Sequence, residues 1–213
     1  MTTILAGNAS FEKLVTSLRH WMLGRGYHRA LKAMEYASQF HTGTRKDGTP
    51  EFSHQIWQAH YIRTIEATLI DPELCLVIEF LHDTIEDHPV TLGEVANRFG
   101  QDASEGVNCM SKVIFVTGFK KPAEVYFGEL SQNPHASICK GVDRIHNHQS
   151  MIGAFSDTKQ ISYMDETTGD ILPMLKRARS LFPEQGAAYE NIKHFLMCQM
   201  ELLHHALPDQ PSS

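Results

Sequence analysis

The sequence is short of the features that staple a chain from outside or anchor it in a membrane. Its 4 cysteines, Cys75, Cys109, Cys139 and Cys198, are scattered and form no CxxC pair. That argues against a disulfide framework or a thiolate zinc site, and for reduced thiols that pack in a cytoplasmic protein. No apolar run approaches the ~20 residues that cross a bilayer. The N-terminus has no charged stretch followed by an apolar run, so no secretory leader is expected. Positive charge is also scarce. A formal net charge of −6 argues against a general nucleic-acid or membrane-binding surface. A local basic cluster for a small anionic substrate stays compatible with it. Alternating β patterns are weak throughout, and there is no internal repeat, low-complexity block or linker.

What is present is helical spacing in an ordinary globular composition, 42% apolar and 21% charged over 213 residues. Phe11, Leu14, Val15, Leu18 and Met22 share one face, closed by Gly24 and Gly26. Leu31, Met34, Ala37 and Phe40 mark a second helix, followed by a loop over residues 41–52 with Gly43, Gly48 and Pro50 as breakers. A third helix runs through Ile62, Ile65 and Leu69. Leu74, Val77, Ile78, Leu81 and Ile85 give the cleanest stripe, predicting one helix over 73–87 ended by Pro89. Thr91 with Glu94 has the form of a capping box. Residues 117–122 are read as a loop, and helices are expected near 135–149, 158–181 and 184–206. The expectation is one all-α domain over 27–206, a helical extension over 1–26 and a disordered tail over 207–213.

The stretch EFLHDTIEDH, residues 79–88, crowds acids against an apolar helix. On a continuous helix His82 stacks over Glu86 and Asp83 over Asp87, one turn apart. A solvated polar edge is the plain reading for a pair of acids. His-Asp followed one turn later by Glu-Asp repels itself, and a divalent cation with imidazole and carboxylate ligands offsets that. One helix supplies two convenient ligands. His54, after the loop, and Asp143, within a further apolar helix, complete a set of two nitrogens and two oxygens. With 13 histidines in the chain, His54 carries weight only as part of the set.

These residues resemble the HD-domain superfamily of metal-dependent phosphohydrolases. More closely, they resemble the hydrolase domain of the RelA/SpoT alarmone enzymes and the small alarmone hydrolases. The matching text is FHTGTRKDGTPEFSH at 40–54, EFLHDTIEDHPVTLGEVANRFG at 79–100 and KGVDRIHN at 140–147. The resemblance covers roughly residues 28–165. It implies an α-helical HD bundle with one divalent ion, usually manganese (Mn2+). The implied reaction is removal of the 3′-pyrophosphate from guanosine 3′,5′-bis-polyphosphates, (p)ppGpp. It further implies that His54, His82, Asp83 and Asp143 are metal ligands. By the same match Glu86 and Asp87 position and activate water, and Arg45 and Lys46 lie over the guanine ring. Asn147 matches a ribose or phosphate contact, and Lys159 and Tyr163 point toward the phosphates. Two departures stand out. Gln55 follows His54 where the family commonly has proline, and AEVYFGEL lacks the cations the family carries before the helix of Asp143. With 213 residues, no synthetase or regulatory domain is expected.

Physical reasoning adds to these roles. The ligand histidines must be neutral to bind a metal. An arginine plane at Arg45 can stack on a purine, which lysine cannot do. Lys140 and Arg144, at i−3 and i+1 from Asp143, either serve phosphates or pair with acids, Arg144 with Glu86 or Asp87 for example. Competing readings are open at this stage. The same fold can act on adenine analogues, (p)ppApp, or on the 2′-phosphate of NADPH. Residues 91–110 have the outline of a helix-turn-helix with Gly100 at the turn, though Asp102 and Glu105 are poorly suited to phosphates. An inactive nucleotide sensor is a third reading. The expected partner is a small nucleotide, not a nucleic acid or membrane; homo-oligomerisation is left open.

Overall fold

A computed structural model describes residues 8–46, 48–115 and 117–206. The expected tail 207–213 and residues 1–7 lie outside the described residues. Among the described residues twelve α-helices follow one another: α1 (Asn8–Arg25), α2 (His28–Ala37), α3 (Ser53–Ile65), α4 (Pro72–Leu81), α5 (Thr84–Asp87) and α6 (Leu92–Phe99). Then come α7 (Gln101–Met110), α8 (Ala123–Gln132), α9 (Pro134–Ser150), α10 (Asp157–Glu166), α11 (Leu172–Leu181) and α12 (Gly186–Ala206). Among the described residues there is no β-strand; isolated bridges join Thr44 to Pro50 and Val113 to Lys120. The fold is the all-α bundle expected.

Two helices form its centre. α4 packs against α2, α3, α7 and α9, and α9 packs against α3, α4, α7, α8, α11 and α12. Leu76, Val77, Ile78, Phe80 and Leu81 on α4, and Ile138, Val142 and Ile145 on α9, are wholly buried. Each such side chain contributes about 1.5–3 kcal/mol by leaving water. Both helices start at a defined cap. Asp71 Oδ1 accepts from the Leu74 N–H at 2.9 Å, with Pro72 in the first turn. Asn133 Oδ1 accepts from the N–H groups of His135 and Ala136, with Pro134 in the first turn.

The stripe at 73–87 is not one helix. It breaks at His82–Asp83 into α4 and α5, and the Asp83 carbonyl accepts from the N–H groups of both Glu86 and Asp87. The expected 158–181 helix is two α-helices joined through a π turn at Thr167–Ile171. Pro173 explains that turn: it has no N–H to give to the carbonyl four residues back, so the ladder changes register there. The Thr91 cap is made, Oγ1 accepting from the Glu94 N–H, but the box is not reciprocal. Glu94 instead accepts from Tyr36 Oη and Arg98 Nε.

α1 buries Leu18 and Met22 against α2 and α3. It covers the core; Gly26, at φ 76°, lets the chain turn sharply into α2. α6 and α7 are joined at Gly100, φ 99°. α7 packs on α4 so closely that a Cβ at Gly106 would overlap Ile78. Of its acids, Asp102 is taken by Arg29 at 2.8 Å. The helix-turn-helix outline is therefore a packing unit with an acidic outer edge.

Candidate metal and nucleotide site

Three segments meet at the bundle centre. His54 lies in the first turn of α3, directly after the 41–52 loop. That loop is closed by the Glu51 N–H to the Gly43 carbonyl and the Arg45 N–H to the Thr49 carbonyl, both 2.9 Å. His82 stands at the break between α4 and α5, and Asp143 in the middle of α9. His54, His82 and Asp143 are all buried, and their ligand atoms lie within 4.8 Å of one another. His54 Nε2 is 3.2 Å from Asp143 Oδ1 and 3.8 Å from Asp83 Oδ2. Asp83 is beside this trio rather than inside it, with Oδ1 3.1 Å from His82 Nε2 and its side chain 31% exposed.

The histidines are aimed by their other nitrogens. His82 Nδ1 is 2.8 Å from the Glu79 carbonyl, so Nδ1–H donates and Nε2 is the nitrogen left for a metal once its own proton is displaced. His82 Nε2 is buried and has no aligned hydrogen-bond partner, despite its nearness to Asp83. His54 Nδ1 is 2.6 Å from His146 Nδ1. Burial, then the neighbouring His54 and Arg45, push His146 down to about 2, so it is neutral. An accepting His146 leaves His54 with Nδ1–H and an Nε2 lone pair facing Asp143.

The electrostatics call for a cation. Burial opposes charge on Asp143, yet Lys140 and the two histidines hold its carboxyl well below the usual range. Burial likewise opposes charge on His82, but Asp83, then Glu79 and Asp143, raise it to about 10. The acids thus hold positive charge at this point. A divalent ion on two imidazoles and carboxylate oxygens supplies it with the donor set that hard and borderline ions take. Glu79, behind His82, is fully buried; neither oxygen has a hydrogen-bond partner, and Oε2 lies 3.8 Å from His82 Nδ1. Burial pushes its carboxyl far up.

Glu86 and Asp87 are exposed on α5. Glu86 Oε1 accepts from the Lys112 N–H at 3.0 Å. Burial, then the charges of Asp83 and Glu86, raise Asp87. Asp87 lines a cleft of about 650 Å³ with Arg45, Lys46, Ser150, Phe155 and Lys159. Lys159 Nζ stands 4.0 Å and Lys46 Nζ 5.5 Å from the Phe155 ring centroid. Arg45 Nη2 is 3.4 Å from Ser150 Oγ. Tyr163 packs edge-on against Phe155, with the Arg144 guanidinium 4.7 Å over its ring.

The other expected contacts turn inward. Lys140 Nζ donates to Asp143 Oδ2 at 2.8 Å, and Asn147 Nδ2 donates to Asp143 Oδ1 at 2.9 Å. Arg144 is buried; it donates to Glu166 and to the Tyr163 carbonyl. The acid Arg144 fixes is therefore Glu166, not Glu86 or Asp87. Sequence reasoning missed Gln58, His146 and Phe155, and the contacts of Gln55 and Glu79. Gln55, the departure from proline, is buried and donates to Asp83 Oδ2 at 3.0 Å.

No family model matches the chain. It is 27% identical over 139 residues to a probable guanosine-3′,5′-bis(diphosphate) 3′-pyrophosphohydrolase of Synechocystis, covering 62% of this chain and 18% of that protein. It is 29% identical over 153 residues to the GTP pyrophosphokinase rsh of Brucella ovis, covering 68% of this chain and 20% of that protein. The chain thus spans about a fifth of the length of the curated relatives it matches. Among solved structures, a metazoan ortholog of SpoT described as hydrolysing ppGpp superposes with a TM-score of 0.58. That match has 19% identity over 78% of this chain and 93% of the other. In sequence, then, the chain is similar to SpoT/Rel-type proteins, and it shares the helical fold of a SpoT ortholog.

Proposed function

We propose that this chain is a metal-dependent phosphohydrolase that uses water to release pyrophosphate from the 3′ position of (p)ppGpp, leaving GDP or GTP. The observation that carries this reading is the convergence of buried His54, His82 and Asp143 from three separate segments. Beside it lies a cation-lined cleft large enough for a nucleotide. The similarity to proteins named for this chemistry supports the substrate class.

His54, His82 and Asp143, with Asp83 alongside, hold one divalent ion, which we take to be manganese. When bound, such an ion polarises a phosphoryl oxygen and lowers the pKa of water. Lys140 and Asn147 fix the Asp143 carboxylate, and Gln55 fixes Asp83. Glu86 has one oxygen held by the Lys112 N–H, which leaves the other to take the proton of the attacking water. Asp87, on the cleft wall, orients that water. Arg45 and Lys46 meet the purine face. Lys159 and Tyr163, across Phe155, receive the phosphates.

The test is one assay with manganese and guanosine 3′,5′-bis(diphosphate), the products resolved as GDP and pyrophosphate. The adenine analogue and NADPH run alongside. Glu86→Gln is expected to keep the ion and lose about 10²–10⁴-fold in turnover. Asp143→Ala is expected to lose both. Failure of the ion-loaded protein to release pyrophosphate from the guanosine substrate would overturn the reading.

A further inference from the structure

We infer that Gln58 is an additional protein ligand to the divalent ion, through its side-chain oxygen. This rests on the metal site proposed above. Gln58 follows His54 by four residues on α3, so both side chains leave the same face of the helix. It is wholly buried. Its terminal amide nitrogen is 2.9 Å from His54 Nε2 and 3.2 Å from Asp143 Oδ1. Those two atoms are themselves 3.2 Å apart. Three atoms from three side chains thus form a near-equilateral triangle. Adjacent ligands of an octahedral ion with bonds of about 2.1 Å stand about 3 Å apart, so the triangle has the size of one face of that octahedron.

The other end of the amide points to the same conclusion. Gln58 Oε1 is buried and has no hydrogen-bond partner. An orphaned acceptor in a core is costly and calls for a cause. The nitrogen and oxygen of a carboxamide exchange places by a half-turn about χ3. With an ion on His54 and Asp143, an inward N–H donor faces positive charge and is repelled. The half-turned amide instead presents Oε1, a hard neutral oxygen of the kind that suits manganese or magnesium. Such a ligand fills one position of a six-coordinate shell without adding charge. It favours octahedral ions over tetrahedral zinc.

The experiment measures binding, not turnover. Manganese and zinc affinities are determined by calorimetry for wild type, Gln58→Leu and Gln58→Glu, with melting curves taken without added metal. Gln58→Leu is expected to weaken manganese binding about 10–100-fold, as loss of a group that tunes a metal site does. Zinc binding is expected to change less. Gln58→Glu keeps an oxygen in place and is expected to hold manganese as tightly as wild type or more so. A merely structural role predicts that both variants melt lower and that neither alters the manganese-to-zinc ratio. Equal manganese affinity in wild type and Gln58→Leu overturns the inference and leaves the site standing. A wild-type protein that binds no manganese overturns site and inference together. If Gln58→Leu does not fold, a manganese-loaded wild-type crystal decides: Oε1 in the coordination shell upholds the ligand, and nitrogen still facing Asp143 removes it.

Discussion

His54, His82 and Asp143 were legible in the sequence because each sits in a short pattern with fixed spacing. The groups that aim them were not. His146 lies 92 residues from His54, and Gln55 lies 28 from Asp83. Only folding brings these pairs together, and no local periodicity encodes them. Gln55 was visible as a departure from proline, but its bond to Asp83 was not. Glu79 sat in view among the crowded acids, yet its complete burial separates it from the exposed Glu86 and Asp87. His146 yields a prediction at this scale. It accepts from His54 Nδ1 in the ligating tautomer and packs, tilted, against Trp57, ring centroids 4.9 Å apart. His146→Phe keeps the ring packing and removes the acceptor. Manganese affinity is expected to fall about 10–100-fold by calorimetry, with the helical circular-dichroism signal retained. An unchanged affinity would mean that packing alone orients His54.

Helix existence was readable from apolar spacing; helix continuity was not. The stripe from Leu74 to Ile85 continues past His82, so periodicity alone cannot reveal the break between α4 and α5. The π turn has a visible cause in Pro173, but the bond that the Thr167 hydroxyl donates to the Tyr163 carbonyl at 2.7 Å was not visible. The end of α10 is also pinned electrostatically. Glu166 pairs with buried Arg144 of α9 and with Lys112, tying three segments together. Burial opposes its charge, but the Arg144 and Lys112 cations bring its carboxyl from 4.5 down to about 2. The folded value is the lower one. Its stabilisation is therefore present above the unfolded value and is lost as pH falls from 4.5 toward about 2. Glu166→Gln should cost about 2 kcal/mol at neutral pH, allowing for its partial exposure. The gap between the urea midpoints of wild type and variant should narrow below pH 4.5. A gap that persists in acid would assign the loss to packing. α9 offers a second case. A Cβ at Gly141 would stand 2.7 Å from Ile192 Cγ2 of α12 and 3.2 Å from Leu175 of α11. The Ile192 methyl is branched at Cβ and has little freedom to yield. Gly141→Ala should destabilise by about 1–3 kcal/mol in urea unfolding.

At the scale of the whole molecule, the site draws on α3, the α4–α5 junction and α9, which meet only when the core has formed. The core itself was legible as one all-α body, while the duty of α1 was not. Its apolar face was visible, and the structure buries Leu18 and Met22 of that face in the core. An ion held by all three segments binds the folded chain and not the unfolded one, so it must raise global stability by mass action. At a manganese concentration 100 times Kd the gain is about 2.7 kcal/mol. For a chain of this size that corresponds to a rise of about 5–10 °C in melting temperature. Asp143→Asn should abolish the rise. Leu18→Ala, in a helix outside the site, should lower the starting temperature through a loss of about 2–5 kcal/mol yet keep the full manganese-induced rise. Calorimetric melting of the three proteins with and without manganese checks both halves. An increment that shrinks in Leu18→Ala as it does in Asp143→Asn would mean the ion acts on general stability and not through the three converging segments.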